Sequence, residues 1–394
     1  MALTKLTSNL IEGGTGTDWV TAIQTSNFTA EAGKGYFVNT TSQVLYVNLP
    51  VGVVGMEITI QDYAGTFATN KVILNANGSE KIQGSALEGQ ITTNNATAVL
   101  IYQDVTKGWT SQDVGLVPQT FTVDYLLVAG GGAGGGHINT EYGGGGGAGG
   151  YLTGTESAVA AGTNYLVTVG AGATSGTNGS DSQAFSTNST GGGGGGWYVN
   201  SQPATAIGKN GGSGGGGASG FAGSGMPPFP GGSGVSGQGN NGGTCSGSGG
   251  YQSAGGGGAG AVGTSVGGGG GAGGNGGVGL SSTITGSSVF YAGGGGGSGW
   301  SGAGGAGGNG GGGTGGTTSG GNATAGITNT GGGGGGGING LGNGGAGGSG
   351  IVILRYPNSK TITNPGSGLI FTTATISTDK VTTFTAGTGN IQFN

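Results

Sequence analysis

The chain carries very little charge of either sign. Its 394 residues include only 9 Lys or Arg and 14 Asp or Glu, so 6% are charged and the net charge is −5. An ordinary globular domain has about 25% charged residues. The only arginine is Arg355, and there is no cluster of lysines that could contact phosphates or anionic lipids. We therefore expect no nucleic-acid partner and no attachment to anionic membrane surfaces.

The residues that carry most enzyme chemistry are equally scarce. One cysteine, Cys245, excludes an intramolecular disulfide and a multi-cysteine metal site. Any catalytic triad would depend on the only histidine, His137, which follows three glycines in a sequence typical of a loop. The acidic residues are mostly isolated, so no pair suggests a glycosidase. Matches to the dinucleotide-binding motif G-x-G-x-x-G arise by chance in such a glycine-rich sequence. From these observations together we predict no enzyme activity, no cofactor and no metal site.

Long apolar runs and prolines are missing as well. No stretch of 18 apolar residues is present, which argues against a membrane-spanning or membrane-inserted protein. Only 8 prolines and the absence of a strict three-residue glycine period exclude collagen. The first ten residues lack the long apolar core of a secretory signal, so we expect assembly in a cytoplasm rather than export.

Glycine is very abundant in the sequence, and its distribution is uneven. The chain contains 113 glycines, 96 of which fall within residues 129–350 in repeated runs. A flexible linker is the simplest interpretation of such a composition. Between residues 157 and 350, however, the only charged residues are Asp181 and Lys209, and aromatic residues interrupt the block repeatedly. Disordered chains are usually kept solvated by charge, so we predict that this block is ordered.

An ordered polyglycine segment has few conformations available to it. Glycine weakens a helix or strand interior, whereas the extended polyproline-II geometry has three residues per turn and no internal hydrogen bonds. Its N–H and C=O groups point outward and need partners, which neighbouring segments without Cβ atoms can approach closely enough to provide. The glycine runs therefore predict a bundle of polyglycine-II helices joined by Thr, Ser and Asn segments.

Short apolar runs bounded by turn residues lie on both sides of the glycine block and predict an all-β protein. We expect an N-terminal β-sandwich or barrel-like domain, followed by a β-platform that holds the polyglycine-II bundle. The strands of that platform are predicted at residues 121–129, 165–169, 351–356 and 381–385. The predicted organisation is an N-terminal anchoring peptide at 1–25, a β-sandwich-like domain at 26–117, a glycine-rich module with flanking strands at 118–356 and closing strands at 357–394.

Two parts of the sequence resemble known virion proteins. Residues 28–38 followed by 60–70 resemble a β-domain of tail-fibre-like proteins from marine bacteriophages. Residues 124–132, 143–151, 165–172 and 347–356 are similar, in that order, to the glycine-rich module of phage adhesins. The resemblance implies polyglycine-II packing, as in T-even-type phage adhesins, and a virion protein of a tail or capsid fibre that mediates host attachment. It also suggests a homotrimer joined to other virion proteins through its N-terminal segment.

Attachment surfaces favour aromatic anchors with polar surroundings, and the uncharged block offers few other groups. The candidate receptor-binding residues lie in or beside its turn segments: Trp197, Tyr198, Phe221, Met226, Phe229 and Trp300. The expected partner is a host cell-surface glycan or an outer-membrane protein. These aromatic side chains could instead cap the flat faces of the bundle. The alternative functions are a structural capsid fibre or decoration protein without receptor binding and, third, a glycine-rich structural protein of a bacterium.

Overall fold

The computed structural model describes most of the chain and divides it into two compact units. The described residues are 17–86, 88–111, 117–118, 120–136, 142–174, 176–198, 203–219, 228–246, 251–267, 269–319, 321–338 and 343–394. The first unit consists of residues up to 121 together with 159–163 and 393–394, and the second of 122–158 and 164–392. Within these residues the only helical element is a 3-10 turn, Pro203–Ala206. The prediction of an all-β protein is confirmed.

The first unit contains two five-stranded sheets. The order of strands in one sheet is β1 (Asp18–Gln24), β3 (Lys34–Val38), β5 (Glu57–Asp62), β8 (Thr97–Tyr102) and β9 (Trp109–Ser111). The order in the other is β10 (Val117–Pro118), β7 (Gly89–Ile91), β6 (Val72–Asn75), β4 (Leu45–Asn48) and β2 (Phe28–Thr29). Strand β1 falls within the segment predicted as an anchoring peptide, and it forms one edge of the first sheet.

The first six strands alternate between these two sheets and run parallel within each of them. The chain thus makes three turns of a flattened coil before β7 to β10 add antiparallel strands. In β4, Leu45 and Val47 are buried while Tyr46 and Asn48 are exposed, as expected for a strand with one face on a core. The fully buried Trp109 belongs to the same core.

A large sheet of nine strands forms one side of the second unit. Its main order is β12 (Tyr151–Ala160), β11 (Thr120–Val128), β18 (Ile351–Pro357), β21 (Asp379–Phe393), β13 (Tyr165–Thr168), β14 (Ser182–Ala184) and β15 (Thr187–Ser189). Strand β21 also pairs with β19 (Ile362–Thr363) and β20 (Leu369–Ile376), and β16 (Leu280–Ser282) forms a separate hairpin with β17 (Val289–Tyr291). The predicted β-platform strands are all present in this sheet, and the C-terminal strand does return to it.

The glycine block forms a bundle of extended segments that bond laterally to one another. The segment 143–150 shows the pattern most completely, because each of its N–H groups donates to a carbonyl of another segment at 2.7–3.0 Å. The acceptors repeat with a period of three, and lie in the segments 331–337, 190–196 and 254–257. Its own carbonyls accept from three further segments, 129–135, 213–216 and 295–298. Six neighbours and a three-residue period are the features expected of packed polyglycine-II helices, so that prediction is confirmed.

The close approach of these segments leaves no room for side chains. A Cβ atom at Gly145 would lie 2.0 Å from the carbonyl oxygen of Gly295, and one at Gly146 would lie 2.2 Å from that of Gly132. Ala148 is the exception in this segment. Its methyl group belongs to an apolar cluster that includes Val128 and Ile351, where the bundle meets the sheet. Glycine is therefore required by contact distance along the bundle and is replaced where apolar strand residues are available.

Three buried tyrosines in the second unit make its stability sensitive to alkaline pH. Burial raises the pKa of Tyr151, Tyr291 and Tyr356 above the ordinary value of 10.0. Below about pH 10 these tyrosines are neutral in both states, so their full contribution to stability is present. Above it, the unfolded chain ionises first, and we expect the melting temperature to fall as the pH rises from 10 toward the folded-state pKa. Melting curves between pH 7 and 12 test this, and an unchanged melting temperature at pH 11 would contradict it.

Candidate functional site

Two long segments of the bundle, 129–136 and 143–150, each have one end at the nine-stranded sheet and the other end away from it. The segment 129–136 leaves β11 directly, and the segment 143–150 leads into β12. These two segments are antiparallel, because Ala129 bonds to Gly150 and Gly135 bonds to Gly144. The distal end, opposite the sheet, is therefore marked by residues 142–143, 197–198, 299–300 and 338, where bridges join Tyr142 to Ile338 and Gly143 to Trp197.

An aromatic cluster of Tyr142, Tyr251 and Trp300 lies at this distal end. The ring centroids of Tyr251 and Trp300 are 4.7 Å apart, and that of Tyr142 lies 5.8 Å from Trp300 in an edge-on arrangement. Tyr142 is only 4% exposed, whereas Trp300 is 41% exposed. Tyr142 and Tyr251 thus pack against the indole ring of Trp300, and part of that ring is exposed to solvent.

A groove beside Trp197 lies on the flank of the bundle near the same end. It encloses about 650 Å³ and is lined by Trp197, Asn178, Ala204, Thr205, Ile207, Gly208, Lys209 and Asn210. The Lys209 Nζ atom lies 5.2 Å from the centroid of the Trp197 ring, within reach of a cation–π interaction. Ile207 is 43% exposed. The groove therefore combines an aromatic ring, an aliphatic side chain and one cation.

The two asparagines of the groove serve mainly to shape it. Asn178 Oδ1 accepts the N–H of Gly194 at 3.0 Å, and Asn178 Nδ2 donates to the carbonyl of Asn210. Asn210 Oδ1 accepts the N–H of Ser233 at 2.7 Å. These bonds tie the groove walls to neighbouring segments, so that Trp197 and Lys209 are the side chains best placed to contact a partner.

The structure separates the predicted receptor-binding residues into two groups. Trp197 and Trp300 present surface at the distal part of the bundle, but Tyr198 and Phe229 are only 2% and 4% exposed. Their rings lie 5.9 Å apart in a buried cluster with Ala206 and Ala218. Tyr198 and Phe229 therefore pack between segments instead of facing solvent, as the alternative of aromatic side chains that close the bundle predicts. Phe221 and Met226 lie outside the described residues.

Tyr142 and Tyr251 are not among the candidate residues predicted from the sequence. Tyr142 directly precedes the run 143–147, just as Trp197 directly follows the run 191–196. An aromatic residue at the distal boundary of a glycine run is the signal that would have identified the cluster. Cys245 is buried, and its thiol donates to the carbonyl of Gln252, which gives it a packing role.

The part of the chain that the structure describes offers neither a metal site nor a membrane-spanning helix. In that part of the chain no group of three or more His, Cys, Asp or Glu side chains is arranged to hold a metal ion. None of its helical segments has the length and apolar character needed to span a membrane. His137 lies outside the described residues.

A bundle of laterally bonded glycine segments on a β-sheet, with aromatic residues at its distal end, defines a glycine-rich module. A family model described as a glycine-rich domain matches residues 110–357. This match covers more than half of the chain, and the chain belongs to that family of glycine-rich domain proteins. No curated protein matches the sequence.

Proposed function

We propose that the protein is a virion fibre or adhesin protein that attaches a bacteriophage to its host cell surface by non-covalent receptor binding. The observation that carries this proposal is the pair of accessible indoles, Trp197 and Trp300, on the distal part of a rigid and nearly uncharged bundle. The resemblance of the glycine-rich module to phage adhesins supports it.

The bundle suits attachment because its interior is ordered before a partner binds. Each N–H group of segment 143–150 already has a backbone partner, so little conformational entropy remains to be lost there on binding. Large aromatic side chains dominate many binding energies, and an indole can stack on the C–H face of a sugar ring. Lys209 is the one cation in the Trp197 groove. We therefore propose a cell-surface glycan or a loop of an outer-membrane protein as the receptor, rather than a phosphate-rich polymer.

The arrangement of the protein on the particle is also a proposal. Residues 1–25 would anchor the chain to other virion proteins, with residues 18–24 held as strand β1, and a homotrimer would follow the organisation of phage fibres. A tail fibre and a capsid fibre are both compatible with this proposal. The burial of Tyr142, Tyr198 and Phe229 favours a second candidate function, a structural fibre or decoration protein in which aromatic residues only close the bundle.

Substitution of the accessible indoles distinguishes these two functions. We expect Trp300→Ala and Trp197→Ala each to reduce adsorption of variant particles to host cells by at least about tenfold, the size of a strong binding contact. Their melting temperatures should stay within about 2 °C of the wild type, because both side chains are partly exposed. Adsorption kinetics of assembled particles and thermal melts of the isolated protein measure the two effects.

Two control variants separate binding from packing. Ile327→Ala removes an apolar side chain that is 60% exposed at the sheet end of the bundle, and it should change neither adsorption nor stability. Phe229→Ala empties a buried site and should cost about 3–5 kcal/mol of stability. Unchanged adsorption in both tryptophan variants would contradict receptor binding by these residues and favour the function of a structural fibre.

A further inference from the structure

The hairpin between β14 and β15 has an unusual turn. Its two central residues, Phe185 and Ser186, both have left-handed backbone angles, with φ values of 49° and 63°. Two-residue hairpin turns of this kind favour Asn-Gly because both positions need positive φ. A bulky aromatic residue is rare in that conformation, and such strain is retained where the surroundings or a function require it. The turn therefore raises the question of what Phe185 does.

The Phe185 ring is held where two strands of the platform present tyrosines. Its centroid lies 6.2 Å from that of Tyr125 on β11 and 5.3 Å from that of Tyr165 on β13. All three rings are partly exposed. Gly154 on β12 makes room for this arrangement, because a Cβ atom there would lie 2.4 Å from the Tyr125 hydroxyl oxygen. Aromatic side chains from three places in the sequence thus gather on one part of the sheet.

A groove of about 310 Å³ opens beside these rings. Besides Tyr165 and Phe185, it is lined by Leu166, Ser186 and three longer polar side chains, those of Glu156, Asn164 and Gln183. The side chains of these three polar residues make no hydrogen bond to any other described residue of the chain. The groove therefore offers aromatic faces together with one carboxylate and two amides that are available to a ligand.

We propose that this groove binds a neutral hexose residue of a glycan, at a site separate from the distal end of the bundle. The C–H face of a pyranose ring packs on the rings of Phe185 and Tyr165, while its hydroxyl groups bond to Gln183, Asn164 and Glu156. A small concave site with convergent polar groups is the usual form of a small-molecule site. No Lys or Arg lines the groove, and the Glu156 carboxylate would repel a uronic acid.

Saturation-transfer NMR on the full chain tests the proposal, with the methyl pyranosides of glucose, galactose and mannose as probes. At least one of them should receive saturation from the wild-type protein, and methyl glucuronide should receive much less. Phe185→Asn places a residue that tolerates positive φ in the turn and removes the stacking ring. It should abolish the transfer without lowering the melting temperature by more than about 2 °C. Gln183→Ala should reduce the transfer severalfold.

The matched control is Ser377→Gly, which relaxes a left-handed serine (φ 57°) in the turn between β20 and β21, outside the groove, and leaves the three rings in place. It should raise the melting temperature by about 2–4 °C and keep the saturation transfer. Trp197→Ala and Trp300→Ala should keep it as well, so that a failure of the proposed receptor site and a failure of this groove are distinguishable. The proposal is overturned if none of the three pyranosides receives saturation, or if Phe185→Asn retains it. If Phe185→Asn is too unstable to assess, undiminished saturation transfer in Gln183→Ala would also overturn the proposal.

Discussion

Replacing Gly145 by alanine is expected to prevent the glycine-rich unit from folding, at a cost above about 4–5 kcal/mol. The new methyl carbon would lie 2.0 Å from the oxygen of Gly295 and 2.9 Å from the nitrogen of Gly256, both backbone atoms that cannot rotate away. To make room, the segment would have to separate from its neighbours and lose bonds such as those to Ala254 and Gly216. Thermal and denaturant unfolding, with amide exchange across the glycine runs, measure the effect.

A second glycine provides the matched control. A methyl group at Gly267, which also begins a glycine run, would meet no heavy atom of the described residues within 4 Å, and its backbone is not left-handed. Gly267→Ala should therefore be neutral or stabilise by up to about 1 kcal/mol, because alanine restricts the unfolded chain. If Gly145→Ala melted within a few degrees of the wild type, the close packing of the bundle would be refuted, and rapid amide exchange throughout the wild-type runs would refute its order.

Removing residues 357–394 is expected to leave the glycine-rich unit insoluble or loosened. The deletion takes away β21, whose neighbours in the sheet include β18, β13 and β20. Its loss exposes an edge of β18, whose residues Val352 and Leu354 are fully buried in the intact chain, and an unpaired apolar edge promotes aggregation. Soluble yield and the melting profile of the truncated chain measure the result, and an unchanged melting profile would contradict the proposed support by this strand.

A point substitution tests the same strand without truncation. Phe384 lies in β21, is fully buried and packs against Phe371 at 5.3 Å. Phe384→Ala should lower the free energy of unfolding by about 3–5 kcal/mol. Ile370→Ala is the control, because Ile370 is 65% exposed on the paired strand β20 and its truncation should cost less than about 0.5 kcal/mol. Equal effects of the two substitutions would show that the buried face of this sheet does not support the unit.

The sequence predicts the bundle well because glycine has one dominant physical property, its missing Cβ. It does not predict which segments become neighbours. Segment 143–150 contacts six others that lie both before and after it in the chain, and nearly identical glycine runs carry no information for choosing among them. In the first unit, the short apolar runs predict strands but not their direction, so the parallel coil of β1 to β6 was not anticipated. Side-chain alternation in β4 is compatible with either direction.

Only part of the candidate site could be predicted from the sequence, for a related reason. Trp197 and Tyr198 are adjacent in the sequence, yet one lines a groove and the other is 2% exposed. Extended helices with three residues per turn place successive side chains about 120° apart, so neighbours face different surroundings. The phase of that rotation depends on the packing partners of the segment. An aromatic residue beside a glycine run can therefore be predicted to lie at a boundary of the bundle, but not to face solvent or core.

The lateral bonding of the glycine segments has a mechanical consequence. Hydrogen bonds from segment 143–150 run sideways to neighbours all around it, so tension applied along the segment loads these bonds in shear and shares the force among them. A hairpin pulled open from one end would instead release its bonds one after another. The unit should consequently unfold in a single step at high force, because lateral bonds at every level of the segment share the load. In single-molecule pulling between its sheet and its distal end, we expect one abrupt rupture instead of a series of small steps.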